Sequence, residues 1–161
     1  MAHHAPEPGE LREKFWHAFE DSPYCMLQLA PDPDSLAPMT AQLDRDGNHH
    51  IWFFTSRSGK FARLGPAVAV FVSKGHEVFA RFEGELSQET SRERLDKHWS
   101  NMVEAWFPGG KDDPDLLMLR MALGEAEIWA ADELGVLGAA KMLLGMDVRD
   151  TAQSAHATTR I

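Results

Sequence analysis

Short apolar runs, each closed by a cluster of turn-forming residues, leave this chain few ways to fold. The runs cover 24–29, 39–43, 51–55, 67–73, 78–86, 117–123 and 126–130, with Pro, Gly, Asp and Asn concentrated between them. Runs of that length suit strands and are too short for helices. Within 78–86, Val78, Ala80, Phe82 and Leu86 alternate with Phe79, Arg81, Glu83 and Glu85, the period of a strand with one face in water. Asp44, Arg45, Asp46, Gly47 and Asn48 supply hairpin chemistry between the second and third runs, and Lys74, Gly75 and His76 do so between the fourth and fifth. Asp113 before Pro114 would suit a helix start, but Leu117, Leu119, Met121 and Leu123 alternate as a strand. With the strand chosen, Gly124 is expected to turn the chain into an antiparallel partner carrying Ala126, Ile128 and Ala130.

Helical signals are few. Leu11, Phe15, Ala18 and Phe19 line one face of an opening helix that Ser22 and Pro23 stop. A short helical turn carries Lys60, Phe61 and Leu64 before Gly65 and Pro66. Thr90 and Glu93 match a capping box, followed by Leu95, Trp99, Met102, Val103 and Trp106 at helical spacing, and Pro108, Gly109 and Gly110 end that helix. The run 136–146 predicts a last short helix. Together these elements predict an α+β fold, an antiparallel β-barrel of six to seven strands with short flanking helices. One domain is expected over 11–148, with flexible ends at 1–10 and 149–161.

Charge and composition exclude several roles. Sixteen basic against twenty-five acidic residues give a net charge of −9, which repels nucleic acid. A local cluster of Arg57, Lys60 and Arg63 can still hold a small phosphate. The single Cys25 forms no internal disulfide, and its apolar surroundings point to a buried, structural residue. No stretch approaches the roughly 20 apolar residues of a membrane span, and 1–10 lacks the apolar run of a secretory signal. A soluble, cytoplasmic protein is therefore expected. His49 and His50 are adjacent, so on a strand they face opposite ways and do not chelate one metal readily, and no metal site is expected.

The segment 52–60, WFFTSRSGK, joins a strand end to a helical start, where backbone N–H groups point outward without partners. Thr55 and Ser58 offer hydroxyls, Lys60 a point charge, and Gly59 a close backbone approach. On the residues alone, this segment reads equally as an anion seat or as a solvated turn.

The strings IWFFTSRSGKFARL, RFEGELS, AWFPGGKDDPD and AEIWAAD, in that order, resemble the general stress protein 26 group of the pyridoxamine 5'-phosphate oxidase-like, FMN-binding split-barrel family. The resemblance spans roughly 11–144. It implies a split barrel that pairs as a homodimer and binds FMN in two equivalent clefts between subunits. By position, Thr55, Ser58 and Lys60 then correspond to phosphate-binding residues, with Gly59 in the same turn, and Phe54 with Thr55 passes the ribityl chain and ring. Met39, Thr40 and Ala41 resemble the stretch beside the isoalloxazine edge, where backbone hydrogen bonds are available. Trp106 resembles the aromatic that the second subunit brings to the flavin, although its spacing also suits a plain helix core.

Two features depart from the family pattern. Ala37, Pro38 and Met39 stand where many relatives carry an arginine, and 130–145 lacks the Arg and His pair of true pyridoxine phosphate oxidases. The resemblance thus implies a flavin-dependent oxidoreductase with a small-molecule electron donor or acceptor, not a pyridoxal phosphate synthesising enzyme. A non-catalytic protein that stores or senses flavin is the alternative, and a deazaflavin or haem in the same cleft is the third reading.

Overall fold

The computed structural model describes residues 7–130 and 156–161. Helix α1 (Pro8–Asp21) opens on Glu7, whose backbone N–H donates to Glu10 Oε2 at 3.2 Å, and on Pro8, which needs no N–H there. Seven strands follow: β1 (Tyr24–Leu29), β2 (Ala37–Thr40), β3 (His50–Ser56), β4 (Gly65–Val72), β5 (Val78–Gln88), β6 (Leu116–Ala130) and β7 (His156–Arg160). Helices α2 (Arg92–His98) and α3 (Asn101–Trp106) lie between β5 and β6.

All pairings are antiparallel and the strands run in the order β2-β1-β4-β5-β6-β3, with β7 added on β6. The two ends of that order meet at a single bridge. Gln42 N–H donates to the Trp52 carbonyl at 2.7 Å and Trp52 N–H to the Gln42 carbonyl at 3.1 Å. The result is a nearly closed antiparallel barrel with one open seam, as expected of an α+β split barrel.

Alternation places Leu27, Leu29, Ile51, Phe53, Ala69, Phe71, Phe82 and Leu119 inside, all 2% exposed or less. Helix α1 lays Leu11, Phe15 and Phe19 over this interior, with the Phe15 and Phe19 rings 4.9 to 5.9 Å from those of Phe71 and Phe82. Burial of each of the leucine, isoleucine and phenylalanine side chains contributes roughly 1.5–3 kcal/mol, and the edge-on aromatic contacts fix how the rings interlock. A smaller cluster of Val103, Phe107 and Leu116, joined by Phe54, Leu95 and Trp99, seats α2 and α3.

Several expectations change. Gly124 does not turn the chain, because β6 is one strand of 15 residues. Its register against β5 shifts between Phe82↔Ala126 and Gly84↔Leu123, so β6 carries a bulge at this level. The extra residue reverses the inward phase from Leu117, Leu119, Met121 and Leu123 to Ala126, Ile128 and Ala130, and in sequence that phase slip resembles a turn. Gly84 lies opposite, where a Cβ would stand 2.6 Å from the Ala122 carbonyl.

The second run pairs with β1 over 37–40 and touches β3 only at the bridge, so the expected β2–β3 hairpin is reduced to one rung. The expected helix from Thr90 to Trp106 is two helices. Glu89 takes the Thr90 and Ser91 N–H groups, so Ser91 becomes the cap of α2, and Ser100 caps α3 after the extended Trp99. At the ends, Pro8 to Glu10 are helical and 156–160 form β7 with Ile161 buried, where flexible ends were expected. The edge of β6 otherwise lacks a partner there, and β7 supplies one. The expected helix over 136–146, most of the 130–145 stretch and residues 149–155 lie outside the described residues.

Candidate functional site

The open seam brings most of the predicted residues together. Ladder bonds alternate in direction along an antiparallel strand. Because Ala41 N–H donates to the Pro23 carbonyl at 2.8 Å, the N–H and C=O of Met39 also face β1, and those of Thr40 face away from it. On β3, Trp52 directs its backbone bonds to Gln42, so Phe54 likewise faces away from β6. Continuing the register of the bridge sets Thr40 across from Phe54 and Met39 across from Thr55. No further bridge joins β2 to β3 among the described residues. The Thr40 and Phe54 peptide groups, both of half-buried residues, therefore line a slot that interrupts the sheet, and peptide groups shielded from water demand partners.

The side chains flanking the slot divide by role. Ala41 is buried, Met39 packs on the core, and the Phe54 ring meets Trp99 edge-on at 6.1 Å. Thr55 is half-buried at the head of the slot, next to Gly59, where a Cβ would lie 3.9 Å from Thr55 Oγ1. Gly59 precedes the 3-10 turn Lys60–Arg63. Of the three cations expected to cluster there, Arg63 is committed to Asp32 at 2.5 Å, whereas Arg57 and Lys60 form no ion pair among the described residues. Arg57 also borders a cleft of about 360 Å³ beneath the β5–α2 corner. The other cations of that wall, Arg92 and Lys111, are paired with Asp112 and Asp96, each at 2.8 Å.

Ser58 is the exception among the predicted residues. Its hydroxyl lies 2.7 Å from Ser56 Oγ and 3.2 Å from Asp115 Oδ1, and its N–H points to Asp115 at 3.3 Å. Ser56 Oγ–H donates to Asp115 Oδ2 at 2.5 Å. That hydrogen bond, with those from Ser58, holds the Asp115 carboxyl below its usual range. Sequence reasoning missed both Ser56 and Asp115. Asp115 stood among the acidic residues of the DDPD string, with nothing local to tie it to a turn some sixty residues earlier.

Trp106 differs from the other apolar residues predicted for the site in its exposure. It sits on α3 with 79% of its surface exposed, beside Met102 at 66%, so the helix-core reading of Trp106 is wrong. Cys25 is buried and burial pushes its thiol up to about 12, which leaves it no role as a nucleophile. A hollow of about 430 Å³ between α1 and the 44–50 loop contains none of the predicted residues.

Helix α2 is moored to the barrel beside this site. Trp52 Nε1–H donates to Glu89 Oε1 at 2.9 Å, the Arg94 guanidinium lies 4.3 Å from the Trp52 ring centre, and His98 stacks on the same ring at 5.2 Å. Asp44 pairs with Arg94 and, at 2.7 Å, with Lys97, and the Lys97 hydrogen bond leads the effects that lower its carboxyl to about 2. His98 Nε2 is buried without a hydrogen-bond partner among the described residues, and burial pushes the His98 imidazole below its ordinary value.

The profile of the family described as pyridoxamine 5'-phosphate oxidase like matches residues 10–150. The chain belongs to this family. A general stress protein 26 of Jannaschia sp. CCS1 is 29% identical, with a TM-score of 0.75 over 96% of this chain and 100% of that one. A general stress FMN/FAD binding protein of Xanthomonas citri is 38% identical, with a TM-score of 0.68 over 76% of this chain and 89% of that one. A protein of Clostridium acetobutylicum related to general stress protein 26 shares the fold at 17% identity, with a TM-score of 0.66 over 97% of each chain. No curated protein matches the chain. No helix among the described residues is long and apolar enough to cross a membrane.

Proposed function

We propose that this oxidase-like chain is a flavin-binding stress protein that holds FMN along the seam between β2 and β3. The observation that carries this reading is the slot itself: two facing sets of peptide groups lead to a turn whose Arg57 and Lys60 form no ion pair among the described residues. A ring with alternating donors and acceptors on its edge would satisfy the Thr40 and Phe54 peptides. A phosphate would be met by Lys60, Arg57 and the Thr55 hydroxyl. The FMN/FAD binding described for the Xanthomonas citri relative supports the choice of ligand.

The reading includes a homodimer. Outward residues form an apolar strip across four strands: Met26 faces Val70, Val72 faces Phe79, and Phe79 faces Trp129. Val70 and Val72 remain 45% and 44% exposed. A second copy would cover this strip and bring its own Trp106 to the flavin ring, a use that accounts for a tryptophan left in water.

Bound flavin would supply the redox chemistry, accepting electrons from a reduced nicotinamide or other small donor and passing them to a small acceptor. The chain's own residues would bind the phosphate, orient the ring through the two peptides, and limit access of water. Storage or sensing without turnover is the second reading.

Titration of the purified protein with FMN should quench flavin fluorescence to a saturable end point, and light scattering should give the mass of two chains. A protein that takes up no FMN overturns the ligand. A monomer that binds FMN tightly overturns the shared site. Rapid anaerobic bleaching by NADH or NADPH would favour the oxidoreductase, and reduction by dithionite alone the binding protein.

A further inference from the structure

We propose that Asp115 is a positioning residue for the phosphate seat, an exposed carboxylate that holds the 56–59 turn in shape so that Lys60, Arg57 and Thr55 receive the ligand's anion. The inference rests on the flavin reading above and assigns a role to a residue that touches no ligand in that reading.

Asp115 grips the turn at two levels. Its backbone carbonyl accepts the Arg57 N–H at 2.7 Å, which extends the β3–β6 ladder one step beyond Ser56↔Leu116. Its carboxylate accepts from Ser56 Oγ–H and from the N–H and hydroxyl of Ser58. The grip is itself anchored, because Asp115 N–H donates to Asp113 Oδ1 at 2.9 Å and Asp113 Oδ2 accepts the Gly109 N–H at 2.9 Å. Pro114 between them limits the backbone further.

This arrangement changes what the turn offers an anion. The two serine protons are used inside the turn, whichever hydroxyl donates in the Ser56 and Ser58 pair, so neither is free for a phosphate oxygen. An ionised carboxylate also repels a phosphate placed on Ser58. The seat is thus displaced toward Thr55 Oγ1, Arg57 and Lys60. Ser58 then belongs to the support of the site, not to its contact surface. Asp115 accordingly has two opposed effects: its acceptor oxygens organise the turn, and its charge weakens the anion's hold.

Two substitutions separate these effects, with riboflavin, which lacks the phosphate, as the control ligand. Asp115→Ala removes acceptor and charge, and should weaken FMN binding about tenfold, the scale of losing hydrogen bonds to a charged group, while leaving riboflavin affinity unchanged. Asp115→Asn retains one of the two acceptor oxygens without the charge and should bind FMN more tightly than Asp115→Ala. Ser56→Ala combined with Ser58→Ala should reproduce the FMN-specific loss, and it carries the test if Asp115→Ala does not fold.

Unchanged FMN affinity in Asp115→Ala, or in the double serine variant when the alanine variant does not fold, would overturn the positioning role. Equal loss of FMN and riboflavin would reduce Asp115 to a general structural residue, and an Asn variant as weak as Ala would overturn the organising role of the acceptor oxygens. If the parent chain binds riboflavin and FMN equally, the phosphate seat fails, and if it binds neither, the flavin reading fails with it.

Discussion

The wall made by β1, β4, β5 and β6 and the seam between β2 and β3 draw on the same alternating strand pattern, yet they meet the demand for backbone partners in opposite ways. In the wall, each strand has neighbours on both sides, and the inward phenylalanines pack on α1. Along the seam, one rung at Gln42 and Trp52 is followed by a gap, and the next pair of peptides, Thr40 and Phe54, faces across it. The backbone of the wall is paired within the chain, whereas the seam leaves backbone groups without a bridge and two cations without ion pairs among the described residues. Stability and binding should therefore respond to different residues.

The largest expected effect tests the wall. Phe82→Ala removes a fully buried ring in contact with Phe15 and Phe19 and should cost about 3–5 kcal/mol of stability. Calorimetry should report the lower Tm, while FMN affinity of the folded fraction stays near that of the parent. A parallel loss of affinity would mean that wall and seam are not separable.

The converse variant, Lys60→Ala, should weaken FMN binding by roughly tenfold, as expected for losing a charge-assisted hydrogen bond. Its exposed position should keep stability within about 0.5 kcal/mol of the parent. A large fall in Tm with intact binding would remove Lys60 from the seat and reverse the contrast.

The smallest effect concerns the mooring of α2 next to the seam. Burial lowers the His98 pKa, so the unfolded chain takes up the proton more readily than the folded one. Stability should accordingly be full above the ordinary histidine value and decline as the pH falls through it toward the lower folded value. Asp44 acts at lower pH, because its carboxyl is held at about 2 and its contribution persists until the pH drops below the ordinary aspartate range. His98→Phe keeps an aromatic ring available to stack on Trp52 without a proton to gain, and chemical denaturation between pH 7 and 5 should then show a flatter profile. An unchanged profile would place the dependence elsewhere.

Much of the fold was legible because strand alternation and turn chemistry are local. Val78, Ala80 and Phe82 point inward as their spacing indicates, Lys74, Gly75 and His76 do join β4 to β5, and Leu11, Phe15 and Phe19 do form one buried stripe. The errors share one cause. Gly124 marks a slip in phase that a bulge and a turn both produce, and only the partner strand distinguishes them. Thr90 and Ser91 are both plausible caps until Glu89 captures their N–H groups. Of the candidate site, Met39, Thr40, Ala41, Phe54 and Thr55 fall on the two lips, whereas Ser58 turns toward Asp115 and Trp106 toward water.

The residues themselves determined a barrel of short antiparallel strands and a turn rich in cations and hydroxyls, since both follow from spacing along the chain. Tertiary structure alone decided that β2 would leave β3 after one rung, that Asp115 would occupy the serine donors, and that Trp106 would stay exposed. Each of those outcomes depends on which distant segments meet, and periodicity within a segment carries no record of its neighbours.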